Sequence, residues 1–416
     1  MSETRKRIPE LDGLRVLMIF IVSWYHIWQQ SWLRPMIGSY SLDYLVRSGY
    51  IWVDGTVLLS AFLLFLPWAK AMKEKTPAPD TKDFYFRRAR RILPGYYFII
   101  LATLFIIAIP WGLYDSAPYL VKDLATHLTF LFPFFQDTYL FTPLGAASWT
   151  LAIMVQAYAL FPLIAKGVMK KPAVTLGVMA AVCFGFRAWC IWALPDYSMV
   201  VNQLVNFLDV YVIGILAAMA YVRLESGPGG TVLFGPKTEN TASDEKNWSK
   251  KNRPSRTKKR LLWQVLATVV FVGVMFGLIK MLRFQASSQD YVQIQERQMI
   301  YRPLYALCFA ALVLSAPFSL LPLRKLLGNP VTKFLGAVSM NYYLIHQTVV
   351  VHLKRIGFPP SVSDSPNTAG EQPWQNQYTL AAFGISLLLA ILVTYLIEKP
   401  AARFLTKLRD TRASRI

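Results

Sequence analysis

The sequence predicts an all-α, polytopic membrane protein of about ten transmembrane helices with one further re-entrant or interfacial helix. Three observations predict it. The 416 residues are 55% hydrophobic and only 16% charged, with a mean hydropathy of +0.37, where soluble domains are about 25% charged. Apolar runs of about twenty residues, the length that crosses a bilayer, recur along the chain. The basic residues fall between those runs, as in positive-inside topology. The net charge of +21 therefore does not indicate a nucleic-acid partner, since no basic groove module accompanies it.

The runs lie near 14–33, 50–69, 92–114, 146–167, 173–194, 203–222, 262–282, 303–322, 333–353 and 378–397. The first is too long for a signal-peptide core and lacks a small-residue cleavage site, so it is read as retained. Pro94 is placed in the first turn of the third span. An eleventh run, 118–141, is interrupted by Lys122, Asp123 and His127 and contains Pro133, so it is expected to be re-entrant or interfacial. Ten spans put both termini on one side. Assigning that side to the cytoplasm places 34 of the 44 Lys and Arg inside; the reverse orientation would put most of the positive charge outside. The one composition break is 223–261, polar, basic and Gly/Pro-bearing, expected to be a flexible cytoplasmic loop in an otherwise single membrane domain, 1–416. It is read as a solvated insert that fixes topology, with anionic lipid headgroups as its alternative contact. Cys183, Cys190 and Cys308 lie in apolar stretches without zinc-ligand spacing, and are read as packing residues.

Chemistry is expected where ionisable groups enter these runs, because burying them in lipid is costly. In LDGLRVLMIFIVSWYHIW, residues 11–28, Arg15 and His26 are eleven positions apart. At about 100° and 1.5 Å per residue they project within about 20° of each other, roughly 16 Å apart along the axis. If Arg15 marks one membrane surface, His26 sits near the midplane. In FYFRRARRILPGYY, Arg87, Arg88, Arg90 and Arg91 crowd the start of the third span. Four guanidiniums suit a phosphate site, since each donates paired hydrogen bonds and keeps its charge; positive-inside anchoring explains them equally. His346, in SMNYYLIHQTVV, is read as a structural histidine satisfied by a neighbouring hydroxyl or carbonyl. Arg187 and Asp209 are expected to pair across adjacent spans, or else to line a polar cavity. No GxSxG elbow, Walker loop, HExxH or Rossmann fingerprint is present. An intramembrane histidine above a cytosolic arginine patch suits a substrate with a phosphorylated head in the cytosol and a thin reactive tail reaching into the bilayer.

Six blocks in order resemble the acyltransferase-3 family of integral membrane acyltransferases. They are LDGLR followed by His26 at Arg-x10-His spacing, GYIWVDGTVLLSAFLLF at 49–65, RRARRILP with Arg88 and Arg91, SWTLAIMVQAYALFP at 148–162, FLGAVSMNYYLIHQ at 334–347, and YLIEKPAARF at 395–404. The resemblance implies a multi-pass cell-membrane enzyme with both termini cytoplasmic. It would move an acyl group, commonly acetyl from acetyl-CoA, to a hydroxyl of an extracytoplasmic carbohydrate or lipid-linked glycan in polysaccharide modification. Acyl-CoA would be a co-substrate; no permanently bound cofactor, metal or nucleic acid is expected. By position, His26 looks like the catalytic histidine and Arg15 its partner, Arg88 and Arg91 the acyl-CoA arginines with Arg87 and Arg90 beside them. Asp12, Asp54, Ser60, Trp149, Gln156, Tyr158, His346 and Glu398 are supporting positions within the same blocks.

The pattern also departs from the family's. Met154 stands where the family usually has Glu, with Thr150 for Ser, Ala157 for Phe and Ala61 for Gly. A thioether cannot accept a histidine proton as a carboxylate does, and Gln156 is the expected partial substitute. Met154 sustains an alternative reading, a non-catalytic homologue that carries lipid or glycan or scaffolds an envelope-synthesis complex.

Overall fold

A computed structural model of the protein describes residues 7–226 and 253–413. The apolar runs become helices because, in lipid, each backbone N–H and C=O needs an internal partner. The helices are α1 (Glu10–Ser31), α2 (Trp52–Glu74), α3 (Thr81–Ala102), α4 (Ala117–Leu128), α5 (Trp149–Lys170), α6 (Pro172–Ala193), α7 (Leu208–Ser226), α8 (Arg253–Ala286), α9 (Tyr291–Ser315), α10 (Pro330–Arg355), α11 (Gln372–Leu392) and α12 (Lys399–Ala413). A π-helical turn, Val393–Glu398, joins α11 and α12, and another, Thr103–Ala108, extends α3. The described sheet is a two-stranded ribbon, Met36–Ile37 with Tyr40–Ser41.

Nine helical stretches among the described residues are long and apolar enough to cross a membrane. α10, the remaining run expected to span, is not among them, although its 26 residues reach ~39 Å and are long enough to cross. Its composition is more polar because Ser339, Asn341 and His346 are buried in the bundle rather than lipid-facing. The spanning window of α2 is 78% buried, that of α8 only 17%, so α2 is central and α8 peripheral. Leu262, Val269, Val272 and Phe276 of α8 are correspondingly exposed.

The 118–141 region does not cross. It is α4, a 3-10 turn at Phe132–Phe134 and a short helix at Gln136–Leu140. Side chains of two spans and a loop tie it down: Tyr96, Tyr97, Gln156 and Gln203 donate to the carbonyls of His127, Leu128, Phe130 and Pro133 at 2.9, 3.1, 3.1 and 2.7 Å. Within it, Lys122 donates to both oxygens of Asp137 at 2.9 and 2.6 Å, which holds that carboxyl below its ordinary range.

Two expectations need correction or limits. Pro94 lies well inside α3, because the helix starts early: the Asp80 side chain caps it by accepting from the Asp83 N–H at 2.6 Å, and the following Arg and Ala favour helix. Of the predicted loop 223–261, residues 227–252 lie outside the described residues, while its flanks are the helical ends of α7 and α8.

The expected Arg187–Asp209 pair forms at 3.0 Å, inside a larger buried network. Arg302 of α9 lies 3.3 Å from Asp54 of α2 and donates to the carbonyls of Val201 and Asn206 at 2.9 and 3.1 Å. Arg187 also holds the Asn206 side-chain oxygen at 3.0 Å. Together these charges fix the 197–207 loop against four spans.

Candidate active site

On one side of the bundle, α1, α2, α3, α5, α10 and α12 enclose a cavity of about 1840 Å³. Helical periodicity decides which residues face it. On α1 the stripe is Leu11, Asp12, Arg15 and Ile19; on α2 it is Thr56, Leu59, Ser60 and Leu63; on α5 it is Thr150, Leu151, Met154 and Tyr158. Arg87, Arg88, Arg90 and Arg91 line it from α3, and Glu398 from the π-helical turn. In all, ten basic side chains line the cavity against three acidic ones.

The start of α1 is held close to its neighbours by Gly13. A Cβ there would stand 2.2 Å from the Leu327 carbonyl oxygen, so only glycine lets α1 approach the short helix Leu321–Leu327. That approach sets Asp12, which pairs with Arg7 at 2.7 Å and lies 3.9 Å from Arg15. Arg88 stacks over Phe84 and Tyr158, 5.6 and 5.8 Å from the ring centroids. The Tyr158 hydroxyl lies 3.3 Å from Ser60 Oγ. Asn341 of α10 donates to Glu398 Oε2 at 2.6 Å and to Thr394 at 2.8 Å, so the π-helical turn aims its carboxylate at the arginines.

Toward the membrane interior the cavity closes at Ile19, Thr150, Tyr343 and Leu344. The hydroxyls of Thr150 and Tyr343 are hydrogen-bonded at 2.7 Å. Behind this layer stand two imidazoles. His346 is fully buried, its ring centroid 5.4 Å from Tyr343 and 5.2 Å from His26. His346 Nδ1 donates to the Tyr343 carbonyl at 2.6 Å, the carbonyl partner expected of it, and its Nε2 has no partner. His26 is half-buried; its Nδ1 faces Gln29 Oε1 at 2.9 Å, and Gln29 donates onward to Tyr25 at 2.9 Å. With Nδ1 as the donor, His26 Nε2 carries the free lone pair a base needs.

Because α1 is unbroken from Glu10 to Ser31, Arg15 and His26 share a face. His26 continues the cavity stripe seven residues past Ile19, ~10 Å further along the axis. The structure thus gathers Arg15, Asp12, Ser60, Tyr158, Glu398 and the four α3 arginines around one cavity, with His26 and His346 one aromatic layer beyond it.

Three predicted positions sit elsewhere. Asp54 is about 200° round α2 from Thr56 and belongs to the Arg302 network. Trp149 rests on Phe207, 6.0 Å between centroids. Gln156 is likewise about 200° round α5 from Met154 and holds the Phe130 carbonyl, so it does not stand in for a carboxylate there. Asn341, Tyr343 and Gln29 escaped the sequence reading. Their only signal was polarity inside an apolar run, which does not reveal the partner.

Over 175 residues the chain is 27% identical to the peptidoglycan O-acetyltransferase OatA of Listeria monocytogenes serovar 1/2a, covering 38% of this chain and 24% of that protein. Over 174 residues it is 27% identical to YrhL of Bacillus subtilis strain 168, by its provisional name a peptidoglycan O-acetyltransferase, covering 39% and 24%. The chain thus spans about a quarter of the length of these relatives. No solved structure matches it. The acyltransferase domain of the acyltransferase-3 family matches residues 8–399, nearly the whole chain, and the chain belongs to that family.

Proposed function

We propose that the protein transfers an acyl group, acetyl in the first instance, from cytosolic acyl-CoA to a hydroxyl of an extracytoplasmic envelope carbohydrate such as peptidoglycan, from the cell membrane with both termini cytoplasmic. The observation that carries this reading is the single cavity that joins a cluster of arginines to the foot of the α1 stripe ending at His26. The names of the two relatives support the acceptor class.

In this reading Arg15, Arg88 and Arg91 engage the donor's phosphates, and the pantetheine arm runs past Ser60 and Tyr158 toward Tyr343. Guanidiniums suit the task because they stay charged and bind phosphate oxygens in pairs. The thioester meets His26 only when the Thr150–Tyr343 layer yields. His26 Nε2 then removes the proton of the acceptor hydroxyl as its oxygen attacks the thioester carbonyl. A C–O bond forms, the C–S bond breaks, and the imidazolium returns its proton to the departing thiolate. Gln29 keeps the ring in the competent tautomer.

A second reading, a non-catalytic carrier or scaffold, rests on Met154, whose sulfur lines the cavity and meets Tyr158 Oη at 3.9 Å. Membrane-reconstituted turnover of labelled acetyl-CoA with peptidoglycan fragments decides between them. Wild type should give labelled glycan; His26→Ala should lower the rate by about two orders of magnitude or more, the usual worth of a positioned base, and Arg88→Ala should raise the acetyl-CoA concentration needed for turnover. Equal product from wild type and His26→Ala would exclude the catalytic assignment.

A further inference from the structure

The family match ends at residue 399, yet the wall of the cavity does not. α12 continues along it, presenting Arg403 and Lys407 to the same space as Arg88 and Arg91. Their four-residue spacing puts both on one face of the helix. Like charges so placed repel, and both side chains are exposed, with no carboxylate or hydrogen-bond partner among the described residues. Their neighbours are different. Arg90 donates to Thr406 at 2.7 Å, and Arg409 pairs with Asp83 at 2.7 Å. Those two contacts clamp α12 against α3 and leave Arg403 and Lys407 held in place without a counter-ion.

We propose that this face of α12 is a second anion subsite of the cavity, one that takes the 3′-phosphate of a CoA thioester while Arg88 and Arg91 take its diphosphate. The proposal rests on the donor reading given above. It also assigns a role to a surplus of cations that one phosphate group would not explain. A CoA thioester carries two separate phosphorylated loci, and the cavity offers two cationic faces on adjoining helices. The two faces are not interchangeable, since Arg88 is stacked over Phe84 of α3 and Tyr158 of α5 whereas Arg403 and Lys407 lie on the helix beyond Glu398.

The test measures binding of CoA and of 3′-dephospho-CoA to the full chain in nanodiscs of phosphatidylcholine alone, so that no acceptor is needed. Wild type should bind CoA about tenfold or more tightly than 3′-dephospho-CoA, the scale of a charge-assisted contact. The Arg403→Gln/Lys407→Gln variant should lose that preference while keeping its affinity for 3′-dephospho-CoA; its elution profile and melting temperature report folding. Arg88→Gln should weaken both ligands in proportion. Equal wild-type affinity for the two ligands would overturn the α12 assignment, as would a variant that weakens both. Failure to bind either ligand would instead overturn the donor reading beneath it.

Discussion

Arg302 has no exposed surface, and at its depth an unpaired guanidinium would have neither water nor counter-ion. It is held by Asp54 and two loop carbonyls. Breaking a buried pair from one side strands the other charge and costs about 3–5 kcal/mol, whereas replacing both partners with apolar groups is often near neutral. Arg302→Met and Asp54→Leu are each expected to lower the melting temperature of the detergent-solubilised protein markedly, and the double variant less than the sum of the two. Strictly additive losses would show that the charges do not interact. This pair also shows what the sequence hides. Asp54 was visible as an acid near a membrane-spanning run, and Arg187 and Asp209 could be matched because their spans adjoin in the chain. Arg302 lies far along the chain from Asp54, at the edge of its predicted run, and only packing brings the two together. The same holds for Asn341 and Glu398, which meet across the π-helical turn.

At the scale of helices, hydrophobic runs revealed the spans well because each must satisfy its own backbone and bury or expose an apolar face. They could not show which face packs on which neighbour. α2 and α7 illustrate this. Ala61 on α2 replaces the glycine suggested by the family pattern, and its methyl carbon lies 2.7 Å from where a Cβ on Gly214 of α7 would stand. A glycine is therefore still present at the crossing, on the opposite helix, and close backbone approach of this kind is a general way for membrane helices to pack. Gly214→Ala is expected to destabilise by about 1–3 kcal/mol through overpacking, and Ala61→Gly with Gly214→Ala should recover most of that loss. Thermal unfolding of the three variants is the measurement. If the double variant is as unstable as Gly214→Ala, the Leu58 carbonyl, 2.9 Å from the same point, is the dominant obstruction. The misplaced boundary of α3 has a related cause: Arg-rich helix continues below the apolar run, where hydropathy gives no signal but the Asp80 cap does.

For the whole molecule, the orientation in the membrane decides whether the basic cavity can receive a cytosolic donor. Its mouth includes Thr76 and Lys70 at the end of α2 and Arg403 on α12, all on the side to which 34 of 44 basic residues are assigned. The opposite side carries the 356–371 loop, in which Val362 is 98% exposed. The protein's own thiols give little background, since Cys183 and Cys190 are buried and Cys308 is half-buried. A membrane-impermeant maleimide applied to intact spheroplasts should therefore label Val362→Cys and leave Thr76→Cys unmodified until the membrane is opened. Acyl-CoA added to opened membranes should then protect Thr76→Cys and leave Val362→Cys reactive, because only the former lines the cavity. Labelling of Thr76→Cys in intact spheroplasts would turn the molecule over, put the arginines outside, and deny a cytosolic phosphorylated donor any route to His26.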